Sequence, residues 1–337
     1  MGPRSPAWPC QGSAVYETGS VDSSDGTRIG YRRLGSGPAI ILVHGGGQAA
    51  QNLMGLAVEL ADAFTVYVPD RRGRGLSGPA GERYGLAAEC EDVAALLSES
   101  GAGCVFGLSS GALVCLQAAL ATPAIRKLAL YEPPLSIHHS TPTGWVARYE
   151  RELARGELGA AMLTAVRGTR TAPLVLRVLP RFLLAPLLNF AARSSSVVRS
   201  PSPSRTQLAN RPVMRATLRV LLWPLRRLDR RARPDGMTVD PGAVPLANLV
   251  PTMRYDAQLV TESEGTLSTF AAVRIDVLLL GGSRSPAYLK NTLTALAGVL
   301  PHARRVTLAG VGHTAPDNGG APHLVAEELR IFFAESA

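Results

Sequence analysis

Apolar and polar positions along the first 134 residues form short segments of two alternating kinds. Runs such as Ala39–Val43 are apolar at every position, which is typical of strands that are covered on both faces. Segments such as 86–98 instead space their apolar residues at helical intervals. Strand and helix therefore alternate, which predicts a parallel, doubly wound sheet. The predicted strands of this part are 15–21, 28–34, 39–43, 64–68, 104–106 and 126–131, and the predicted helices are 53–63, 86–98 and 112–120.

The alternation stops after residue 134 and returns near residue 275. The segment between shows helical spacing broken by proline and arginine, which predicts a helical insertion. After it come predicted strands at 275–280 and 305–308 and predicted helices at 287–300 and 321–333. The predicted organisation is a flexible tail over 1–12, one α/β core built from 13–134 and 251–337, and a helical, arginine-rich cap over 135–250.

The first two predicted strands are separated by Asp22-Ser23-Ser24-Asp25-Gly26, a cluster of turn-forming residues. Two strand-like runs joined in this way predict an antiparallel hairpin. Because it precedes the alternating part of the chain, we expect the hairpin at one edge of the sheet.

Composition narrows the class of protein. The chain has 337 residues, 46% of them hydrophobic, which is enough for one large core with an insertion. Its four cysteines show neither a C-x-x-C pair nor a zinc-ligand spacing, which favours a reducing compartment. The N-terminus lacks the apolar core of a signal peptide, and no apolar run reaches the roughly 18 residues of a membrane span. We therefore expect a cytoplasmic protein without a transmembrane segment.

A G-x-S-x-G sequence, GLSSG at 107–111, joins a predicted strand to a predicted helix. Strand, tight turn and helix in this order form the context of a nucleophile elbow. Only small residues fit beside the central one in such a turn, which explains Gly107 and Gly111. Ser109 is then predicted to project from the sheet as a nucleophile. The backbone N–H of Ser110, at a helix N-terminus, is predicted to point at the oxyanion.

Four separated motifs carry a resemblance to the serine hydrolases of the α/β-hydrolase superfamily. They are LVHGGG at 42–47, PDRRGRGLSG at 69–78, GLSSG at 107–111 and GVGH at 310–313, in the order that the superfamily has them. The resemblance covers essentially the whole chain except the tail and the middle of the insertion. It implies the α/β-hydrolase fold, a mostly parallel eight-stranded sheet with a cap inserted after the sixth strand. The predicted strand 126–131 is that sixth strand.

The resemblance implies that His313 is the general base. A serine hydroxyl is a poor nucleophile unless a base takes its proton. His313 follows the last predicted strand, and the small residues Gly310 and Gly312 let this loop fold back over the elbow. We therefore expect the imidazole of His313 beside the hydroxyl of Ser109.

The acid of the triad is not at the position that the family usually uses. The family usually places an acid after the seventh strand, where this chain has Ser285, and a serine cannot stabilise an imidazolium as a carboxylate does. Some members take the acid from the end of the sixth strand, which makes Glu132 the predicted acid. Asp256, where the cap rejoins the core, is the alternative. Asp317 follows His313 too closely to reach its far side easily.

A second oxyanion donor is expected from the loop after the third strand. The resemblance implies the backbone N–H of Gly46, with Gly47 adjacent, to act with Ser110. His44 is interpreted as shaping that loop. The second motif is interpreted as structural, and supplies charge pairs and tight turns through Asp70, Arg72, Gly73 and Gly75.

The formal net charge of +9 is concentrated in the cap, since eleven arginines and two acids lie between Arg193 and Asp235. Arg211, Arg215 and Arg219 are four residues apart, so they would share one face of a helix. This face is either simply solvated or a docking surface for an anionic partner, such as an acidic carrier protein or a phospholipid surface. No nucleic-acid-binding motif accompanies the charge, so nucleic acid is not an expected partner.

These features predict a serine hydrolase that cleaves an ester, thioester or lactone of a mostly apolar small molecule. No metal or organic cofactor is implied. Because the central elbow residue is serine and not aspartate, the alkyl-enzyme chemistry of haloalkane dehalogenases and epoxide hydrolases is not expected. Two alternatives stay open, because a fold does not fix a function. One is a lyase, a C–C bond-cleaving enzyme or a cyclase of a biosynthetic pathway, and the other is a non-catalytic ligand-binding protein.

Overall fold

An eight-stranded sheet organises the computed structural model, which describes residues 16–171, 174–195 and 243–335. The strand order is β1-β2-β4-β3-β5-β6-β7-β8. The first two strands form an antiparallel hairpin at one edge, β2 also runs antiparallel to β4, and the other neighbours are parallel. The predicted fold class, a mostly parallel eight-stranded sheet with helices, is confirmed. The strands are β1 (Glu17–Asp22), β2 (Arg28–Leu34), β3 (Ala39–Val43), β4 (Thr65–Pro69), β5 (Cys104–Leu108), β6 (Lys127–Tyr131), β7 (Asp276–Gly282) and β8 (Ala303–Leu308).

Helices connect the parallel strands and cover both faces of the sheet. They are α1 (Met54–Leu60), α2 (Leu86–Ser100), α3 (Ser110–Ala118), α4 (Val146–Ala154), α5 (Leu158–Gly168), α6 (Leu174–Val178), α7 (Arg181–Ser195), α8 (Leu246–Leu249), α9 (Met253–Glu262), α10 (Ala287–Val299) and α11 (Pro322–Ala334). Short 3₁₀ turns precede α1, α9 and β7, at Ala50–Leu53, Val250–Thr252 and Leu267–Ala272. No helix in the described ranges combines the length and the apolar character needed to cross a bilayer.

The central strands contribute to two separate cores, one on each face of the sheet. In β3, Ile41 and Val43 pack into the core beneath α2, α3 and α10, whereas Ile40 and Leu42 pack into the core beneath α1 and α11. Successive side chains of a strand point to opposite faces. A strand that is buried on both faces is therefore apolar at every position, which is the pattern that predicted these strands.

The elbow is sharper than the predicted element boundaries imply. The predicted end of the fifth strand at Phe106 is wrong, because Gly107 and Leu108 still pair with Leu130 and Tyr131 of β6. The predicted start of the helix at residue 112 is wrong by two residues, because α3 already begins at Ser110. The chain thus reverses from strand to helix within a single residue.

The described part of the insertion is helical. Helices α4–α7 lie between β6 and α8 and bury two small apolar clusters. One cluster includes Leu163 and Leu188, and the other joins Tyr149 to Val250 near the return to the core. The tail 1–12 and the arginine-rich face with Arg211, Arg215 and Arg219 lie outside the described residues. Both interpretations of that face, a solvated surface and a docking surface for an anionic partner, therefore stay predictions.

Candidate active site

Ser109 occupies the single residue between β5 and α3, with φ 54° and ψ −122°. Few non-glycine residues adopt a positive φ, because the side chain then crowds the backbone. The neighbouring segments approach closely: a Cβ on Gly107 would lie 2.6 Å from Cα of Ala112, and one on Gly111 would lie 2.4 Å from the carbonyl oxygen of His44. Glycine at both positions therefore permits the turn that presents the Ser109 hydroxyl.

The structure brings the three residues of the predicted triad together. Nε2 of His313 lies 3.0 Å from Oγ of Ser109, and Nδ1 of His313 lies 2.7 Å from Oε2 of Glu132. Both distances are those of hydrogen bonds. Three residues that are far apart in the chain thus form one continuous path for hydrogen bonding.

Glu132 is placed by strand pairing and held from two sides. It follows β6 directly, has φ 48°, and its side chain is fully buried. Oε1 accepts a hydrogen bond from the N–H of Gly282 at 2.7 Å, which leaves Oε2 for His313. A buried carboxylate needs such partners, because burial without them is costly.

Ser285 lies after β7, where the family usually carries its acid. It is buried, and its hydroxyl has no hydrogen-bond partner within the described part of the chain. The carboxylate that reaches His313 therefore comes from the end of the sixth strand and not from the loop after the seventh.

The loop that carries His313 is fixed by the neighbouring strands. The hydroxyl of Tyr131, at the end of β6, donates to the carbonyl oxygen of Gly312 at 2.8 Å. The N–H of Arg284 donates to the carbonyl oxygen of Val311 at 2.9 Å. Both bonds lie immediately before His313, so they orient the imidazole without blocking it.

Two residues that line the cavity beside Ser109 have backbone N–H groups without an acceptor among the described residues. In the loop after β3, the N–H groups of Gly45 and Gly47 donate to side-chain oxygens, whereas the N–H of Gly46 meets no acceptor in the described ranges. The N–H of Ser110 is likewise free of acceptors there, as expected in the first turn of a helix. Gly46 and Ser110, the two predicted oxyanion donors, are thus available to a ligand.

Asp256 does not contact His313 but closes a buried polar network behind the elbow. Oδ1 accepts hydrogen bonds from Nη1 of Arg71 at 2.9 Å and from Oγ of Ser110 at 2.8 Å. Oδ2 accepts from Nη2 of Arg74 at 2.8 Å and from the N–H of Gly47 at 3.1 Å. With four donors on two oxygens, this alternative acid is fully engaged away from the imidazole.

Charge pairing explains why Asp256 stays ionised. Burial alone would raise its pKa, but the guanidinium groups of Arg74 and Arg71 hold that pKa well below the usual range. Arg71 also forms a bidentate pair with Glu89, at 2.6 and 2.7 Å. Arg74 is completely buried, and Nε and Nη1 of its guanidinium lack partners in the described residues. Asp256 is therefore the carboxylate that compensates the charge of Arg74.

His44 supports the loop after β3 (residues 44–49, the oxyanion loop below) as a neutral side chain. The N–H of Arg71 donates to Nε2 at 3.2 Å, so Nδ1 carries the proton and donates to the carbonyl oxygen of Gly45 at 2.9 Å. Burial lowers the pKa of His44 well below its ordinary value, and the nearby charges of Arg74 and Arg71 act in the same direction. The side chain thus shapes the loop, as the sequence suggested.

The motif at 69–78 also forms charge pairs and tight turns behind the site. Asp70 accepts from Nη1 of Arg32 and from the N–H of Ala50, at 2.8 and 2.7 Å. Arg72 forms a bidentate pair with Asp92, at 2.7 and 2.6 Å. Gly73 and Gly75 have positive φ, as tight turns require.

A cavity of about 160 Å³ opens above Ser109, His313 and Gly46. The core side of its wall is formed by the oxyanion loop, the elbow, α9 and the loop after β8, and the insertion supplies the other side. In the described ranges, no three His, Cys, Asp or Glu side chains are grouped so as to hold a metal ion. The wall is mostly apolar or hydroxyl-bearing, and includes Leu108, Pro134, Thr141, Thr143, Trp145, Thr169, Met253, Val260 and Tyr288.

Sequence reasoning missed several polar residues of this site. Arg71 and Arg74 belong to the second motif, but nothing in the local pattern shows that they meet Asp256 about 180 residues later. Asp317 and Gln48 line the cavity and hydrogen-bond to each other. Asp317 was considered only as a triad acid, although its position four residues after His313, in a loop that returns over the elbow, also indicates a place in the cavity wall.

Comparison with known proteins agrees with this architecture. The family model described as alpha/beta hydrolase fold matches residues 38–319. A crystal structure of an alpha/beta hydrolase from Sphaerobacter thermophilus is 29% identical and superposes with a TM-score of 0.63, covering 92% of this chain and 99% of that one. A thermophilic esterase from Thermogutta terrifontis superposes with a TM-score of 0.61 over 95% of this chain and 98% of that one, at 17% identity, which concerns the fold alone.

Two curated proteins match the chain over shorter stretches. The uncharacterized hydrolase YraK of Bacillus subtilis is 39% identical over 102 residues, which are 29% of this chain and 38% of that protein. The pimeloyl-[acyl-carrier protein] methyl ester esterase of Aeromonas hydrophila is 38% identical over 97 residues, 28% of this chain and 37% of that protein. The chain thus spans less than two fifths of the length of these relatives. With the family model matched over most of its length, the chain belongs to the alpha/beta hydrolase family.

Proposed function

We propose that this protein is a serine hydrolase that cleaves an ester, thioester or lactone of a mostly apolar small molecule. The observation that carries the proposal is the unbroken hydrogen-bonded path from Ser109 through His313 to Glu132, with distances of 3.0 and 2.7 Å. Nucleophile, base and orienting acid in this arrangement are the requirements of nucleophilic acyl transfer.

In the first half of the reaction, Oγ of Ser109 attacks the substrate carbonyl while Nε2 of His313 takes the hydroxyl proton. Glu132 stabilises the imidazolium that forms and fixes the tautomer, since Nδ1 carries the proton shared with Oε2. His313 then delivers the proton to the leaving alcohol or thiol. The product of this half-reaction is an acyl-enzyme on Ser109.

Backbone donors stabilise the charge that develops on the carbonyl oxygen. The free N–H groups of Gly46 and Ser110 serve this purpose, and one such donor typically contributes about 10²–10³ in rate. In the second half of the reaction, water attacks the acyl-enzyme and His313 acts as base again. The bond between the acyl carbon and Oγ then breaks, His313 returns the proton to Oγ, and the acid is released with the hydroxyl of Ser109 restored.

The cavity wall supports a substrate with a substantial apolar part. Leu108, Trp145, Met253 and Val260 contribute apolar surface, and threonine hydroxyls add a few positions for hydrogen bonding. Pockets of this composition bind small molecules mainly by burial of apolar area.

A fluorophosphonate probe tests the proposal directly. We expect the native protein to be labelled at Ser109 and to hydrolyse p-nitrophenyl butanoate, and we expect Ser109→Ala to lose both properties. His313→Ala should slow labelling by about 10²-fold or more, because the hydroxyl loses its base. Peptide mass spectrometry locates the label, and absorbance of p-nitrophenol measures hydrolysis.

Ser98→Ala is the matched control, since Ser98 is exposed on α2 away from the cavity. This variant should be labelled at the native rate. A folded native protein that is not labelled at Ser109 would contradict the proposal and would favour a non-catalytic ligand-binding protein.

A further inference from the structure

A second carboxylate, Asp317, belongs to the cavity but not to the triad. It lies in the loop between β8 and α11, four residues after His313. A turn fixes its backbone, with the N–H of Asp317 donating to the carbonyl oxygen of Thr314 at 3.2 Å. Asp317 lines the cavity together with Ser109 and His313.

Only half of this carboxylate is engaged by the protein. Oδ1 accepts a hydrogen bond from Nε2 of Gln48 at 2.8 Å, and Gln48 is itself held by the N–H of Gly45. Oδ2 accepts no hydrogen bond from the part of the chain that the structure describes. Gln48 therefore fixes the orientation of the carboxylate and leaves Oδ2 available to a ligand.

Asp256, the other carboxylate of the cavity wall, shows the contrast. Its two oxygens receive four hydrogen bonds, two of them from buried arginines. Asp256 is thus neutralised and saturated by the protein. Asp317 is neither, because no lysine or arginine of the described ranges lines the cavity.

The electrostatics of Asp317 agree with an incomplete site. Burial raises the pKa of Asp317 to about 6, although the hydrogen bond from Gln48 and the proximity of His313 oppose this shift. Burial raises the pKa of Tyr131, and the nearby charges of Glu132 and Asp317 act in the same direction. Above pH 6 the cavity wall therefore carries an ionised carboxylate that the protein only partly compensates.

We propose that Asp317 forms a binding subsite for a cationic or hydrogen-bond-donating group of the substrate, such as an ammonium, and that it selects against substrates with a free carboxylate. An ammonium would supply both the charge and the donor that Oδ2 lacks. A second anion would meet the repulsion of a half-buried carboxylate whose charge no arginine or lysine of the cavity wall compensates. This inference rests on the proposed function and names the substrate class that the same cavity takes.

The alternative role for Asp317 is to stabilise the charged form of His313. Its negative charge would stabilise the imidazolium for every substrate, so its removal would lower kcat of charged and neutral esters alike. A subsite acts differently, since its removal changes the ratio of rates between cationic and anionic esters. The ratio therefore separates the two roles.

The test compares three p-nitrophenyl esters of matched length: 6-aminohexanoate, heptanoate and the monoester of adipate. At pH 8 we expect the native protein to favour the ammonium ester over the carboxylate ester by at least tenfold in kcat/KM, relative to the neutral ester. Asp317→Asn, which can still accept the hydrogen bond from Gln48, should reduce this preference at least fivefold. Asp62→Asn removes the same charge from an exposed position and should leave the preference unchanged.

Binding to Ser109→Ala gives a readout that needs no turnover. Calorimetry with methyl 6-aminohexanoate and methyl adipate should show tighter binding of the ammonium ester, and Asp317→Asn in the same background should abolish the difference. Equal preferences in native and Asp317→Asn proteins overturn the subsite while the hydrolase stands. Absence of hydrolysis with a binding preference that depends on Asp317 overturns the hydrolase and supports the subsite.

Discussion

Ser109 and Glu132 both have a positive φ, of 54° and 48°. A non-glycine residue in this region costs on the order of 1–3 kcal/mol, and it persists only where the surroundings hold it. Here the surroundings are strand pairing: the N–H of Ser109 donates to the carbonyl oxygen of Tyr131, and that of Glu132 donates to Leu280. His138, His139 and Arg170 also have a positive φ, so what distinguishes Ser109 and Glu132 is that strand pairing holds both beside His313.

Glu132→Gln tests the assignment of Glu132 to the triad. We expect kcat for p-nitrophenyl butanoate to fall by about 10²–10⁴, because an amide cannot stabilise the imidazolium of His313. KM should change little, and thermal stability should stay close to that of the native protein, since the amide oxygen can still accept from Gly282. Steady-state kinetics and thermal unfolding measure the two effects.

Glu82→Gln, in an exposed loop, is the control for this exchange and should keep native kinetics. A Glu132→Gln variant that keeps kcat within about threefold of native would remove Glu132 from the triad. Loss of activity in Asp256→Asn alone, at native stability, would transfer the role to Asp256.

Asp317 makes a separate prediction about stability and pH. Its pKa is about 6 in the folded protein against 3.8 for a free aspartate, so the folded state holds the proton more tightly than the unfolded state. Stability is therefore lost as pH rises from below 4 to above 6, by up to about 3 kcal/mol. Asp317→Asn should raise the free energy of unfolding by a comparable amount at pH 8 and by little at pH 4. Urea unfolding at both pH values measures the difference, and an equal effect at the two values would refute the assignment.

At the scale of elements, α9 connects the end of the insertion to the elbow. Its Asp256 binds the N–H of Gly47 in the oxyanion loop and the hydroxyl of Ser110 at the start of α3. Both predicted oxyanion donors thus lie next to groups that a single helix holds in place. We therefore expect Asp256 to act through these neighbours, as a positioning residue.

Asp256→Asn should destabilise the protein by about 3–5 kcal/mol, because it leaves the buried guanidinium of Arg74 without its carboxylate. The double variant Asp256→Asn, Arg74→Met removes the uncompensated charge together with its partner, and should recover part of the loss. Urea unfolding of native, single and double variants measures both effects. A single variant as stable as the native protein, or a double variant less stable than the single one, would show that the pair does not carry this energy.

Most helices and strands could be predicted from the sequence, for a physical reason. Strands buried on both faces must be apolar throughout, so Ala39–Val43 and its neighbours stand out from any helix. The position of Glu132 followed from chain order, since it ends the strand beside the elbow. The pairing of Asp256 with Arg74 joins residues 182 positions apart, and the half-engaged state of Asp317 depends on Gln48 in another loop. No local pattern contains contacts of this kind.

At the scale of the whole molecule, the parallel sheet places the three residues of the proposed triad together, beyond the carboxyl ends of its strands. Ser109 follows β5, Glu132 follows β6 and His313 lies in the loop after β8, so all three are near the carboxyl ends of parallel strands. Open α/β sheets bind their ligands beyond the carboxyl ends of their strands. The fold therefore determines where the reaction occurs and leaves open which bond is broken.

Isotope labelling decides between hydrolysis and the non-hydrolytic reactions that the same fold supports. An acyl-enzyme on Ser109 that is resolved by water must place one solvent oxygen in the released acid at each turnover. In H₂¹⁸O we therefore expect the acid from p-nitrophenyl heptanoate to gain 2 mass units, and the p-nitrophenol to gain none. Heat-denatured protein corrects for spontaneous hydrolysis, and Ser109→Ala should match that background. A product without solvent oxygen would indicate that another nucleophile, such as an alcohol or an amine, takes the acyl group from Ser109 in place of water, and that the protein is a transferase.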